Sequence, residues 1–186
     1  MVTLVHMNTP RLLILACAGV LSLGAQAIEL LPGGAFVQGG VAEQGAYSAT
    51  AGLLWPWAWK REALGGEFTG ITEAYVSHWS GRGATQRKGF TQVGLVPMLR
   101  YRFSGGRSDW FVEAGIGVSG MDSLYRTRHK QFSGTFNFVD VISAGRSFGA
   151  QRHQELSLRV THYSNAGIKK PNPGENFMQL RYAHMF

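Results

Sequence analysis

The sequence predicts an all-β fold: an eight-stranded antiparallel transmembrane β-barrel of the outer membrane of a Gram-negative bacterium. Three observations predict it. The chain opens on an export-type leader, yet no later apolar run reaches the 18 or so residues that a spanning helix needs. Eight segments of about ten residues alternate apolar and polar side chains with period two, and turn residues separate them. The last segment, FMQLRYAHMF, sets Met178, Leu180, Tyr182, His184 and Phe186 on one face against Gln179 and Arg181, and it closes on a terminal Phe.

The leader comes first. Arg11 precedes the apolar run Leu12 to Leu23, and Ala25-Gln26-Ala27 supplies small residues at a cleavage position. Residues 1–27 are expected to be a cleaved signal peptide and residues 28–186 the barrel. Cys17, the single cysteine, lies in the leader, so the remainder holds no thiol for a disulfide, a metal site or a nucleophile. Removing the leader takes one of the 18 Lys and Arg and none of the 11 acids, which leaves 17 against 11, a net charge of +6. Such a balance suits a phosphate-rich partner. Export points away from nucleic acid and toward an anionic surface outside the cytoplasm.

The expected strands are 34–42, 47–57, 66–79, 90–103, 110–119, 135–148, 155–164 and 177–186. The fourth alternates Thr91, Val93, Leu95, Pro97, Leu99 and Tyr101 with Gln92, Gly94, Arg100 and Arg102, and the fifth is equally regular. The sixth is less clean, because Asp140 interrupts one face and aromatic residues the other. With the N-terminus on the inner side, outer loops fall near 43–46, 80–89, 120–134 and 165–176, and inner turns near 58–65, 104–109 and 149–154. The outer loops carry Arg82, Arg87, Lys88, Arg126, Arg128, Lys130, Lys169 and Lys170, a cationic rim suited to lipopolysaccharide phosphates. Trp55, Trp57 and Trp59 fall near the inner end, where an aromatic girdle is expected. Glu67, Glu73 and Glu113 are expected inside, paired with Arg100, Arg102 or Arg159, in an interior filled by side chains.

The seventh strand, ELSLRVTHYS, points to chemistry. Arg159 lies mid-strand, and an Arg facing lipid at the midplane costs roughly 2–4 kcal/mol, so it should face inward, near Glu73 or Glu113. That fixes the phase, because a one-residue slip turns every side chain over. Leu156, Leu158, Val160, His162 and Ser164 then face lipid. Two polar residues adjacent on that face ask for a reason. At i and i+2 they sit roughly 6.6 Å apart along the strand, close enough for side chains to lean together. A serine hydroxyl needs a base to attack an ester, and an imidazole supplies one. The imidazole needs an acceptor on its other nitrogen, and Glu175, at the far end of the 165–176 loop, is the acid near in sequence. The Asn165 side chain or the Gly167 amide would supply oxyanion donors. His78, His129, His153 and His184 form no metal-ligand pattern together.

His162-Tyr163-Ser164-Asn165-Ala166-Gly167-Ile168-Lys169, followed by Pro171-Asn172 and Gly174, resembles the signature of the PagL-type lipid A 3-O-deacylases. The resemblance implies an eight-stranded outer-membrane barrel that hydrolyses the acyl ester at position 3 of the proximal glucosamine of lipid A. It implies Ser164 as nucleophile, His162 as general base, Asn165 and Gly167 at the oxyanion hole, lipopolysaccharide as substrate and no cofactor. One departure stands out. In the family pattern the acid lies fourteen positions after the histidine, where this chain has Asn176, with Glu175 one position earlier. Glu175 is the expected third residue, with Asn176 as the alternative. The competing functions are a non-catalytic barrel, adhesive or structural, and a lipid A acyltransferase barrel. Outer-membrane lipid is an expected partner, and a homodimer is the protein association left open.

Overall fold

Alternation of large apolar side chains with polar or small ones, clean in most strands, gives each strand one face that belongs in an apolar medium and one that does not. The only way to satisfy every backbone group in such a chain without a free edge is to close the sheet on itself. The structure, a computed structural model, describes residues 31–186, so the leader expected over 1–27 lies outside the described residues. The strands are β1 (Gly34–Ala42), β2 (Tyr47–Ala63), β3 (Gly66–Arg82), β4 (Arg87–Arg102), β5 (Trp110–Met121), β6 (Phe136–Phe148), β7 (Gln154–Ser164) and β8 (Glu175–Met185). Each pairs antiparallel with the next in sequence, and β8 returns to pair with β1, closing the barrel.

The wall is inverted relative to a water-soluble protein. Val93, Ile142 and Leu180 on its outer surface are 59%, 63% and 57% exposed, whereas Gln92, Ser143 and Gln179 on its inner surface are 1%, 4% and 1% exposed. An exterior of this kind is at home in hydrocarbon.

Several strands run further than the alternation suggested. β2 was expected to stop at Trp57 but continues to Ala63, which reduces the expected turn over 58–65 to Leu64-Gly65. Proline at position 56, inside the expected strand, gives no N–H to a ladder. The structure absorbs it in a register shift between Pro56 and Lys60, after which pairing to β3 resumes. Trp57 lies across the bare backbone of Gly70, where a Cβ would come within 1.8 Å of its ring, and its indole N–H donates to Thr72 at 2.9 Å. Leu64 and Gly65 both have positive φ, 54° and 75°, the backbone that a two-residue hairpin turn needs.

The interior is filled in two layers. Toward the chain termini lies a belt of charge. Arg159 donates two bonds to Glu73, at 2.8 and 3.0 Å, and Arg181 donates a third to the same carboxylate at 2.7 Å. Arg100 bridges Glu113 and Glu155 through four bonds of 2.6–2.9 Å. Ser143 donates to the other oxygen of Glu113 at 2.7 Å. Glu67, expected among these, sits instead near Lys60, at 3.8 Å, on the long β2–β3 hairpin. At the opposite end, Trp79, Phe90, Tyr163 and Phe177 from the strands meet Tyr125 and Phe132, which the segment between β5 and β6 folds into the mouth. Lys130 of that segment also turns inward and is not free on the rim: its ammonium lies 2.8 Å from Glu175 and 3.5 Å from Glu43.

Candidate active site

β7 presents the site. Arg159 is 2% exposed in the interior, so the alternate residues Leu156, Leu158 and Val160 lie on the outer wall. His162 and Ser164 continue that outer row to the end of the strand. Neighbouring strands complete it. In register, Asp140 on β6 lies opposite His162, and Asn176 on β8 lies opposite it on the other side.

The bonded partner of the histidine is Asn176. His162 Nδ1 and Asn176 Oδ1 are 2.6 Å apart. An amide oxygen can only accept, so Nδ1 carries the proton and Nε2 keeps its lone pair. Gly174 packs beneath the ring. Its φ is +65°, and a Cβ there would lie 2.7 Å from His162 Cε1. Gly174→Ala is therefore expected to displace the imidazole and strain the turn. If His162 acts as the base expected from the sequence, ester hydrolysis should fall by about 10²-fold, the order expected when a catalytic group shifts by 1 Å, as measured by acyl release from purified protein in detergent.

Glu175 is not brought to the histidine. It lies opposite Tyr163, on the inner face, where it is 1% exposed. There it accepts a bond from the Tyr125 hydroxyl at 2.8 Å and one from the Lys130 ammonium at 2.8 Å. Burial, and then the Glu175 carboxylate, raise the Tyr125 phenol well above its ordinary range, so it stays a neutral donor. These contacts tie the start of β8 to the mouth segment. They fix which of residues 175 and 176 faces outward.

The residues expected to donate to an oxyanion are engaged in shaping the loop. Asn165 donates through Nδ2 to Ser133 Oγ at 2.9 Å and to the Lys169 carbonyl at 2.7 Å. Its Oδ1 accepts the Gly167 N–H at 3.0 Å, and its own N–H donates to Asn172 Oδ1 at 3.1 Å. The Ala166 N–H points at Ser164 Oγ, 3.4 Å away. Ala166 and Gly167 both have positive φ, 53° and 77°. Two consecutive residues in this conformation turn the chain sharply just beyond the serine. Among the described residues, no group of three or more His, Cys, Asp or Glu side chains could hold a metal ion.

Residues 43–185 match the family model described as lipid A 3-O-deacylase (PagL). The chain is 32% identical over 145 residues to the lipid A deacylase PagL of Pseudomonas aeruginosa, covering 77% of this chain and 80% of that protein. It is 35% identical over 114 residues to the lipid A deacylase PagL of Bordetella bronchiseptica, 61% of each. Among solved structures, the crystal structure of the outer membrane enzyme PagL superposes with a TM-score of 0.72 at 30% identity. The superposition covers 82% of this chain and 99% of that one.

Proposed function

Because the chain belongs to the lipid A 3-O-deacylase (PagL) family, we propose that it hydrolyses the 3-O-linked acyl ester of lipid A from within the outer membrane. Ser164 is the nucleophile and His162 the base, and Asn176 rather than Glu175 holds the histidine. The observation that carries this reading is the His162–Asn176 bond on the outer wall, two residues from Ser164. Ser164 Oγ attacks the acyl carbonyl carbon while its proton passes to His162 Nε2. The bond from that carbon to the sugar oxygen breaks, and the sugar oxygen takes the proton from the imidazolium. Water then repeats the sequence on the acyl-serine and frees the fatty acid.

The turn at 165–167 carries the oxyanion donors. Ala166 N–H already meets the serine oxygen, and Gly167 N–H becomes available when a substrate oxygen replaces Asn165 Oδ1. The acyl chains of lipid A lie in the outer leaflet, beside Val160, Leu158 and Met178. The ester reaches the serine by lateral diffusion and no chain is drawn into water.

Mass spectrometry of lipid A from cells producing the protein tests the activity. Loss of one 3-hydroxyacyl group supports it. A gain in mass would indicate an acyltransferase, and unchanged lipid A in the presence of folded barrel would indicate a non-catalytic protein. The third role has its own test. Asn176→Ala is expected to lower kcat by about 10²-fold, because the imidazole loses the bond that fixes its tautomer and orientation. Glu175→Gln keeps the fold's shape and loses only the charge beside Lys130. Its effect should appear as a lower unfolding midpoint, with activity within a few-fold of wild type.

A further inference from the structure

The outer wall carries one feature that the hydrolysis described above does not use. At one level across β6, β7 and β8 stand Asp140, His162 and Asn176, direct cross-strand partners in that order. The outward residues around Asp140 are apolar. Ile116 is its partner on β5, and Phe138 and Ile142 flank it on β6. Val160 lies beside His162 on β7 and Met178 beside Asn176 on β8. A carboxylate on the hydrocarbon side of a barrel is costly and calls for a partner. Asp140 is exposed and makes no hydrogen bond or ion pair in this conformation, while Glu113 on β5 and Glu175 on β8 are turned into the interior and paired there.

The other half of the observation is what Asn176 lacks. An amide carbonyl can accept the Nδ1 proton and set the tautomer. It brings no negative charge to the imidazolium that forms when Ser164 gives up its proton. Directly opposed residues in an antiparallel pair have Cβ atoms about 5 Å apart, so a change of rotamer brings a carboxylate at 140 against the ring at 162. In a site next to lipid, the interaction of two opposite charges at that distance is screened far less than in water.

From this row we infer that Asp140 is the anionic partner of His162, a positioning residue on β6 that supplies the charge Asn176 on β8 cannot. The work done elsewhere by one carboxylate is divided here between two strands. Asn176 orients the ring before reaction, and Asp140 stabilises the imidazolium during it. The other charged groups near the ring do not compete for this role. Glu175 on β8 and Arg159 on β7 face the interior, and Lys169 and Lys170 belong to the exposed loop after β7.

The inference rests on the Ser164–His162 reading of the site, and the experiment separates the two. The full barrel is purified as wild type, Ser164→Ala, Asp140→Asn, Asp140→Glu, Asn176→Glu and the Asp140→Asn/Asn176→Glu double variant. Acyl release is measured against lipid A in detergent micelles, and heat-modifiable gel mobility reports folding. Asp140→Asn removes a charge from the outer wall, so the barrel should fold at least as well. Its kcat is expected to fall by about 10²-fold, the lower end of what acid–base stabilisation supplies, with KM within twofold of wild type. Asp140→Glu should keep most of the activity. In the double variant, the carboxylate now at 176 should recover at least tenfold of the loss, which a merely structural effect at 140 would not allow. An unchanged kcat in Asp140→Asn, or a loss that the second substitution does not relieve, would overturn the role of Asp140 alone. If Ser164→Ala remained active, the underlying reading would fall with it.

Discussion

Ser164→Ala is expected to abolish deacylation, lowering turnover by on the order of 10⁴-fold or more, while leaving the barrel as stable as wild type. The size follows from the proposed chemistry: with Ser164 as nucleophile, its removal means that no acyl-enzyme forms and the remaining groups can only assist water. The stability follows from position. Ser164 is the last residue of β7, half-exposed on the outer wall, and its hydroxyl does no more than accept a long bond from Ala166. Acyl release by mass spectrometry, together with an unfolding curve on the same preparation, checks both halves. Substantial residual activity would remove Ser164 from the nucleophile role.

The second large effect lies inside the wall. Glu73→Ala should destabilise the barrel by about 3–5 kcal/mol, because it leaves two buried guanidinium groups without their shared partner. Arg159 would retain Glu113, at 3.7 Å, as its one carboxylate, and Arg181 would lose the carboxylate it donates to. Both arginines are buried and Arg181 also lies over the Phe36 ring, so neither reaches water while the barrel stays closed. Urea unfolding of the purified protein in micelles, followed by tryptophan fluorescence, should show a lower midpoint with little change in slope. A variant that matched wild type would mean that the charge belt contributes little to holding the strands together.

Much of this molecule was legible in its sequence, for reasons that differ from residue to residue. The strand number and closure follow from period-two alternation, which β7 keeps from end to end and β4 and β5 keep over most of their length. Arg159 fixed the phase of β7 because a buried and an exposed guanidinium differ so much in cost. Strand ends were harder to find. β2 was expected to end at Trp57, yet the chain makes an irregularity after Pro56 and continues, since a bulge accepts a missing N–H that a regular ladder would not. Lys130 looked like one more rim charge, because nothing in its local sequence shows a loop folding back into a mouth.

The choice between Glu175 and Asn176 is the instructive case. Proximity and acidity favoured Glu175. Yet the alternation of β8 already placed both residues: Met178, Leu180 and Tyr182 face outward, so the next position back on that face is 176 and 175 faces inward. Chemical type suggested a residue that the geometry of the strand turns away. Asp140 shows the converse. It stood out as a blemish in the pattern of β6, and only the register across three strands gives the blemish a neighbour worth having.

The packed interior has a consequence for the cell that carries this protein. With Arg100, Glu113, Arg159 and Glu73 knitted across the lower half and aromatic rings stopping the upper, the barrel is a solid post. It should pass neither ions nor antibiotics. A bacterium can therefore raise its copy number to remodel surface lipid without weakening the envelope as a permeability barrier, something no open channel of the same architecture would allow.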